Sequence, residues 1–174
     1  EYSDCWIEDS RLVVLNARDA ENRGARIMVR TRVEGAKRDG EAWAITLRDL
    51  ATDTVETVHA KMLVNAGGPW VGDIIHGKLG LKSNEGVRLV RGSHIATKKL
   101  FDHDKSYFSQ GEDGRIIFAI PHEMYFTLIG TTDAEHENLH EKPYPTDEEQ
   151  DSLSAVTSQY FEKPVTRYHV VWTY

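Results

Sequence analysis

The chain has 174 residues, with 21 Lys and Arg against 28 Asp and Glu, a formal net charge of −7 and one cysteine, Cys5. A chain of this length can bury roughly 70% of its unfolded surface, enough for one domain or one and a half. The acidic balance argues against a nucleic-acid partner, the single cysteine excludes an internal disulfide, and no apolar run approaches the roughly 18 to 20 residues that span a bilayer.

Cys5 sits among Asp4, Glu8 and Asp9, which disfavour a thiolate, so it reads as a small semi-buried residue rather than a nucleophile. The absence of a disulfide framework fits a reducing compartment. Asp9 or Ser10 is placed to cap a first helix, with Leu12, Val13, Ala17 and Ala20 on one face and Gly24 at its end. Ile27 to Val33 reads as a strand. A three-stranded meander follows over 33–60: Gly35 to Arg38 and Glu41 to Leu50 are joined at Asp39-Gly40, and Thr54 to Ala60 is the third strand. Lys61 to Asn65 is a short apolar strand that runs into Ala66-Gly67-Gly68-Pro69-Trp70 and then an apolar helix with Ile74 and Ile75.

The second half is richer in strands. Gly86 to Lys98 is one long candidate. Ser106 to Gln110 and Arg115 to Ile120 form a hairpin, and Tyr125 to Thr131 follows the Pro121-His122-Glu123 turn. Thr146 to Glu149 matches a capping box for a helix near 147–162, with Leu153, Val156 and Tyr160 as its apolar stripe and Pro164 beyond it. The fold class is therefore mixed α+β, with neighbouring antiparallel strands and few helices. Its organisation is expected to be 1–85 and 86–174. The chain begins with Glu1 and stops within the strand-like run Val171 to Tyr174, so both ends read as cuts within a longer protein.

Three segments carry possible chemistry. In Asn65-Ala66-Gly67-Gly68-Pro69-Trp70, adjacent glycines let a ligand approach the backbone, and a following helix would aim N–H groups at it; a plain strand-to-helix turn explains the pattern equally. In Arg88-Leu89-Val90-Arg91-Gly92-Ser93-His94-Ile95, a continuous strand puts Arg88, Val90 and His94 on one face. His94 then fits either a general base or a hydrogen-bonded core histidine. Ile129-Gly130-Thr131-Thr132-Asp133 offers hydroxyls that bind a ligand or cap a strand end. His136 and His140, four apart, lack the companions of a metal motif, so no metal ligand is assigned.

Taken together in chain order, these segments resemble the FAD-dependent glycerol-3-phosphate dehydrogenases, within the wider D-amino-acid-oxidase-like flavoenzymes. The opening Tyr2-Ser3-Asp4-Cys5-Trp6 and Asp9-Ser10-Arg11-Leu12 and the terminal Val171-Trp172-Thr173-Tyr174 extend the resemblance over the whole chain. Gly-Ser-His-Ile and Gly-Thr-Thr-Asp are its specific pair. The resemblance implies oxidation of sn-glycerol 3-phosphate to dihydroxyacetone phosphate, with electrons passed through FAD to quinone at the inner face of a membrane. It implies that His94 is the active-site histidine and Thr131 a substrate-site threonine. It also implies that Val33 meets the adenine part of FAD and that Ala66 and Gly67 lie along the cofactor. The implied fold is an antiparallel substrate-binding sheet plus part of a glutathione-reductase-type FAD-binding domain.

Two features of the family are not found in these residues. The G-x-G-x-x-G turn of its first βαβ unit, which seats the FAD pyrophosphate, is absent. A Ser-Gly-Val-Arg-Pro-like segment, whose arginine grips substrate, would lie beyond Tyr174. The expectation is a partial enzyme, inactive by itself and a poor binder of FAD. An amino-acid oxidase of the wider family and a non-catalytic module are the competing readings.

Overall fold

The computed structural model describes residues 3, 5–84 and 86–174. They group into two units, within 1–84 and within 85–174. Tyr2 and Asp4 of the opening motif, and Glu85 at the expected boundary, lie outside the described residues.

The first unit opens on helix α1 (Asp9–Asn22). Its N-cap is Glu8, which makes no side-chain cap bond; Asp9 and Ser10 fall inside the first turn instead of capping it. Asp9 there faces the positive end of the helix. Gly24 closes the helix as the sequence suggests. With φ at +96°, it lets its own N–H donate to the Glu21 carbonyl at 2.9 Å and the Ala25 N–H to the Ala20 carbonyl at 3.0 Å. This double closure satisfies carbonyls that the helix leaves orphaned. No residue of α1 is buried, so its predicted apolar face is not a core face. Cys5 is exposed rather than semi-buried.

Strands β1 (Thr31–Asp39), β2 (Ala42–Asp49) and β3 (Val55–Ala60) form an antiparallel sheet in that order. The strand expected from Ile27 starts only at Thr31, because Arg30 has a left-handed backbone (φ +53°) that interrupts an extended run. The expected gap after Val33 is a β-bulge inside one strand: Val33 faces Leu47 and Gly35 faces Thr46, with Glu34 as the extra residue. Gly40 takes the positive φ that the tight β1–β2 turn needs. Ala44, Ile45 and Leu47 of β2 are buried.

Met62-Leu63-Val64 forms no strand. Met62 and Val64 are 77% and 76% exposed, and among the described residues no strand pairs with them. An extended segment without a ladder partner leaves its N–H and C=O groups to water. The apolar helix expected next is a composite: a 3-10 turn over Gly68–Trp70, a single α turn (α2, Val71–Asp73) and a π turn over Ile74–Lys78.

The second unit is built on a five-stranded antiparallel sheet. Its order is β10 (Val170–Thr173), β5 (His94–Lys98), β8 (Phe126–Gly130), β7 (Ile116–His122) and β6 (Tyr107–Gln110). Strand β4 (Val90–Arg91) pairs with β9 (Ala134–Glu135) in a separate ladder. The single long strand expected over Gly86 to Lys98 is thus divided at Gly92-Ser93 between two sheets, and Arg88, Val90 and His94 do not share one strand face. Helix α3 (Asp147–Ser158) starts with the predicted capping box: Thr146 Oγ1 accepts from the Glu149 N–H at 3.2 Å, and Glu149 Oε2 accepts from the Thr146 N–H at 2.8 Å. The helix ends at Ser158, short of 162, where the Ser158 hydroxyl donates to the Ser154 carbonyl and accepts from the Val165 N–H. Tyr160 therefore lies outside the stripe. Ile95, Ile117, Ala119, Ile129, Leu153 and Val165 form the core between this sheet and α3.

Among the described residues no helix is long and apolar enough to cross a membrane.

Candidate functional site

His94 opens β5 directly opposite Gly130, the last residue of β8. Side chains alternate along a strand, so Ile95 enters the core and His94 projects from the opposite face of the sheet. Gly130 makes this possible: a Cβ there would lie 1.9 Å from His94 Cδ2 and 2.5 Å from Nε2. The imidazole thus rests on a backbone stripped of its side chain. Tyr174 holds the ring from another side. Its N–H and carbonyl pair with the carbonyl and N–H of His94 at 3.1 and 2.8 Å. Its ring stacks on the imidazole with centroids 5.0 Å apart and planes 8° apart.

Thr131 follows Gly130 immediately and donates its hydroxyl to the Thr132 carbonyl at 3.0 Å. A second glycine accommodates it, because a Cβ on Gly92 would lie 2.5 Å from Thr131 Oγ1. The segments Gly92-Ser93-His94 and Gly130-Thr131-Thr132 are thus interlocked, glycine against side chain, in both directions. Backbone and side-chain bonds reinforce the lock. The Ser93 N–H donates to Thr132 Oγ1 at 2.9 Å, and the Thr132 N–H donates to the Ser93 carbonyl at 3.2 Å.

Below this junction lies a carboxylate that the sequence marked only as a helix cap. Glu149 Oε1 accepts from Thr132 Oγ1 at 2.8 Å and Ser93 Oγ at 3.0 Å, while Oε2 accepts from Arg91 Nη2 at 2.9 Å and the Thr146 N–H at 2.8 Å. The side chains of Glu149 and Arg91 are 11% and 18% exposed. Burial pushes the Glu149 carboxyl up, but the hydrogen bonds from Thr146, Thr132, Arg91 and Ser93 outweigh it and bring the pKa down to about 2. The carboxylate is therefore ionised throughout the ordinary pH range. The capping-box pattern was the one signal that touched it; tertiary contact supplies its other partners.

Val33, Ala66 and Gly67 all lie in the first unit. Val33 sits at the β1 bulge, next to Glu34, whose carboxylate meets Arg32, Arg48 and Lys78. Those cations, chiefly the Arg32 hydrogen bond, hold the Glu34 carboxyl below the usual range against the opposing effect of burial. At the glycine turn, Asn65 Oδ1 accepts from the Gly67 N–H at 3.2 Å, and Asn65 Nδ2 donates to the Val71 carbonyl at 3.1 Å. A Cβ on Gly67 would lie 2.3 Å from Ile74 Cδ1, so the tip of the Ile74 side chain would have to shift to admit one. Ala66 is exposed, and Gly68, at φ +54°, has open space where a side chain would stand. The turn is thus open at Ala66 and Gly68 to a flat or phosphate-bearing ligand, and to that extent it fits a flavin dinucleotide. The composite of three short turns beyond them does not supply the sustained helix dipole that the sequence suggested.

Among the described residues, no group of three or more His, Cys, Asp or Glu is placed to hold a metal ion. His136 and His140 lie outside any helix, with His136 Nε2 at 3.3 Å from the Glu141 carbonyl.

Comparison with known proteins gives these geometries a context. The chain is 40% identical over all 174 residues to a glycerol-3-phosphate dehydrogenase of Pseudomonas tolaasii, and 37% identical to the aerobic glycerol-3-phosphate dehydrogenase of Escherichia coli. It is also 40% identical to a D-erythritol 1-phosphate dehydrogenase of Brucella abortus. It spans about a third of the length of each: 34%, 35% and 35%. The structure of the glycerol-3-phosphate dehydrogenase from Bacillus halodurans complexed with FAD superposes on 95% of this chain and 34% of its own, with a TM-score of 0.81 and 31% identity. Over the superposed part the two share the antiparallel α+β arrangement described above. A family model for FAD dependent oxidoreductases matches residues 1–174, and the chain belongs to that family.

Proposed function

We propose that these residues form the flavin- and substrate-facing middle of a longer dehydrogenase that oxidises sn-glycerol 3-phosphate to dihydroxyacetone phosphate. The observation that carries this reading is the seating of His94 over Gly130, beside Thr131, in a chain resembling glycerol-3-phosphate dehydrogenases along its whole length. In this reading 1–85 is the partial FAD-binding region and 86–174 the substrate-binding sheet.

FAD, when bound, supplies the hydride acceptor. Val33, Ala66 and Gly67 are the residues that would hold it. His94 takes the proton from the carbon-2 hydroxyl as the carbon-2 hydride leaves, which turns the alcohol into the ketone with both hydrogens accounted for. Gly130 and Tyr174 fix the imidazole plane, so little reorganisation is needed when the proton moves. The Thr131 hydroxyl binds substrate oxygen. The G-x-G-x-x-G unit that seats the pyrophosphate, and an arginine for the substrate phosphate, are supplied by parts of the enzyme outside these residues. Electrons pass on to quinone at the inner membrane face, to which the complete enzyme binds peripherally. Similarity to a D-erythritol 1-phosphate dehydrogenase keeps a four-carbon polyol phosphate as the second substrate candidate.

The test is steady-state oxidation by the full-length enzyme of sn-glycerol 3-phosphate, D-erythritol 1-phosphate and a panel of D-amino acids. Turnover of a polyol phosphate is expected; turnover of amino acids alone would overturn the reading. Substitution His94→Ala is expected to lower kcat by about 10²- to 10⁴-fold, the usual worth of a positioned acid–base group, with a smaller change in KM. Unchanged kcat would remove His94 from the proton transfer.

A further inference from the structure

We propose that Glu149 is the positioning residue of this site: its buried carboxylate clamps the His94-bearing and Thr131-bearing segments to each other through Ser93 and Thr132. The inference deepens the dehydrogenase reading and rests on it.

His94 and Thr131 each belong to a segment that leaves one sheet and enters another. On one side, β4 ends at Arg91 and β5 begins at His94. On the other, β8 ends at Gly130 and β9 begins at Ala134. Such junctions lack a continuous ladder of strand hydrogen bonds, and beyond the two direct bonds between Ser93 and Thr132 a further tie is needed to fix them. Glu149 does so from the opposite side of the sheet. It takes the hydroxyl of Ser93, the neighbour of His94, and the hydroxyl of Thr132, the neighbour of Thr131, on the same oxygen. It takes the guanidinium of Arg91 on both oxygens, at 3.4 Å from Nε and 2.9 Å from Nη2. Its own position is set by α3, through the N–H of Thr146.

Except for Arg91 Nε, these donors lie within 3.0 Å, and the carboxylate is largely excluded from water. Charge-assisted bonds of this kind are stronger and more directional than neutral ones. The consequence for the chemistry is indirect. Glu149 touches neither the imidazole of His94 nor the hydroxyl of Thr131. It fixes the two peptide segments from which they project, and hence the distance between proton acceptor and substrate hydroxyl ligand.

Substitution Glu149→Gln in the full-length enzyme separates this role from helix capping. Glutamine also completes a capping box, so the start of α3 is preserved. The charge facing Arg91 is lost, and with the single amide oxygen kept on the Thr146 N–H, the Ser93 and Thr132 hydroxyls meet an NH2 group in place of their acceptor oxygen. The expected result has two parts. Amide hydrogen exchange at Ser93 and Thr132 rises by about 10-fold or more, as it does when a local opening becomes easier, while α3 stays protected. The kcat falls by about 10-fold or more while KM changes by less than about 3-fold, because alignment rather than substrate binding is disturbed. Substitution Glu148→Gln, on the exposed side of the same helical turn, serves as the control and leaves both readouts unchanged.

Unchanged exchange at Ser93 and Thr132 would overturn the clamp. Raised exchange with wild-type kcat would also overturn the proposal, because the carboxylate would then only stabilise the fold. If the wild-type enzyme oxidises no polyol phosphate, the dehydrogenase reading and the alignment role fall together, while the exchange result still decides whether the clamp exists.

Discussion

Substitution Gly130→Ala places one methyl group where the His94 ring rests. The new Cβ would lie 1.9 Å from His94 Cδ2, 2.5 Å from Nε2 and 2.6 Å from Cγ. Nonbonded carbons settle at about 3.5 to 4.0 Å, so the ring must retreat by roughly 1.5 Å or more, or leave its rotamer. The clash involves the root of the imidazole and not only its tip, so a small adjustment does not relieve it. Retreat is opposed by Tyr174, stacked at 5.0 Å and bonded to the His94 backbone in both directions. The backbone at Gly130 is not left-handed, so its φ does not by itself exclude alanine. Overpacking of this kind costs about 1 to 3 kcal/mol of stability. A 1 Å misplacement of a reacting group costs on the order of 10²-fold in rate. The two effects are read separately, by urea unfolding and by steady-state kinetics of the full-length enzyme. We expect kcat to fall by about 100-fold while the unfolding free energy falls by no more than about 3 kcal/mol. A stable variant with wild-type kcat would refute the argument, since the ring would have moved without consequence.

Two further outcomes are expected. Glu149 titrates at about 2 in the folded protein against an ordinary 4.5, so its stabilisation is complete above the unfolded value and is lost as pH falls from about 5 toward 2. The difference corresponds to roughly 3 kcal/mol, and Glu149→Gln should flatten that part of the stability–pH curve; equal slopes for both proteins would count against it. Titration of the 174-residue chain with FAD, followed by flavin fluorescence, should give no stoichiometric complex, because no G-x-G-x-x-G turn is present to seat the pyrophosphate. A tight one-to-one complex would show that the bulge at Val33 and the turn at Ala66-Gly67 suffice.

Local signals in the sequence translated well wherever one residue type has one physical use. Gly24 closes α1 and Gly40 turns the β1–β2 hairpin because both need a positive φ. Thr146 and Glu149 build a capping box because the spacing lets each side chain reach the other's N–H. The errors fall where the outcome depended on a partner. Met62-Leu63-Val64 has strand composition, but among the described residues no strand pairs with it. Gly86 to Lys98 has strand composition throughout, yet Gly92 must yield to Thr131 and the Ser93 N–H bonds to a threonine side chain, so the strand divides.

The sequence alone carried the resemblance to the family and the α+β class, because glycine, hydroxyl and imidazole segments follow one another in chain order, while the roles of His94, Thr131, Ala66 and Gly67 were implied by that resemblance and not by the local patterns. It left His94 open between a catalytic base and a core histidine. Tertiary structure decided that His94 lies on the sheet face away from the core, seated on Gly130 and stacked by Tyr174. Tertiary structure also turned Glu149 from a helix cap into a buried anchor between two segments 39 residues apart at Ser93 and Thr132. The reason is physical: a carboxylate gathers donors by proximity in space, and sequence spacing carries no record of which distant hydroxyls and guanidinium will arrive.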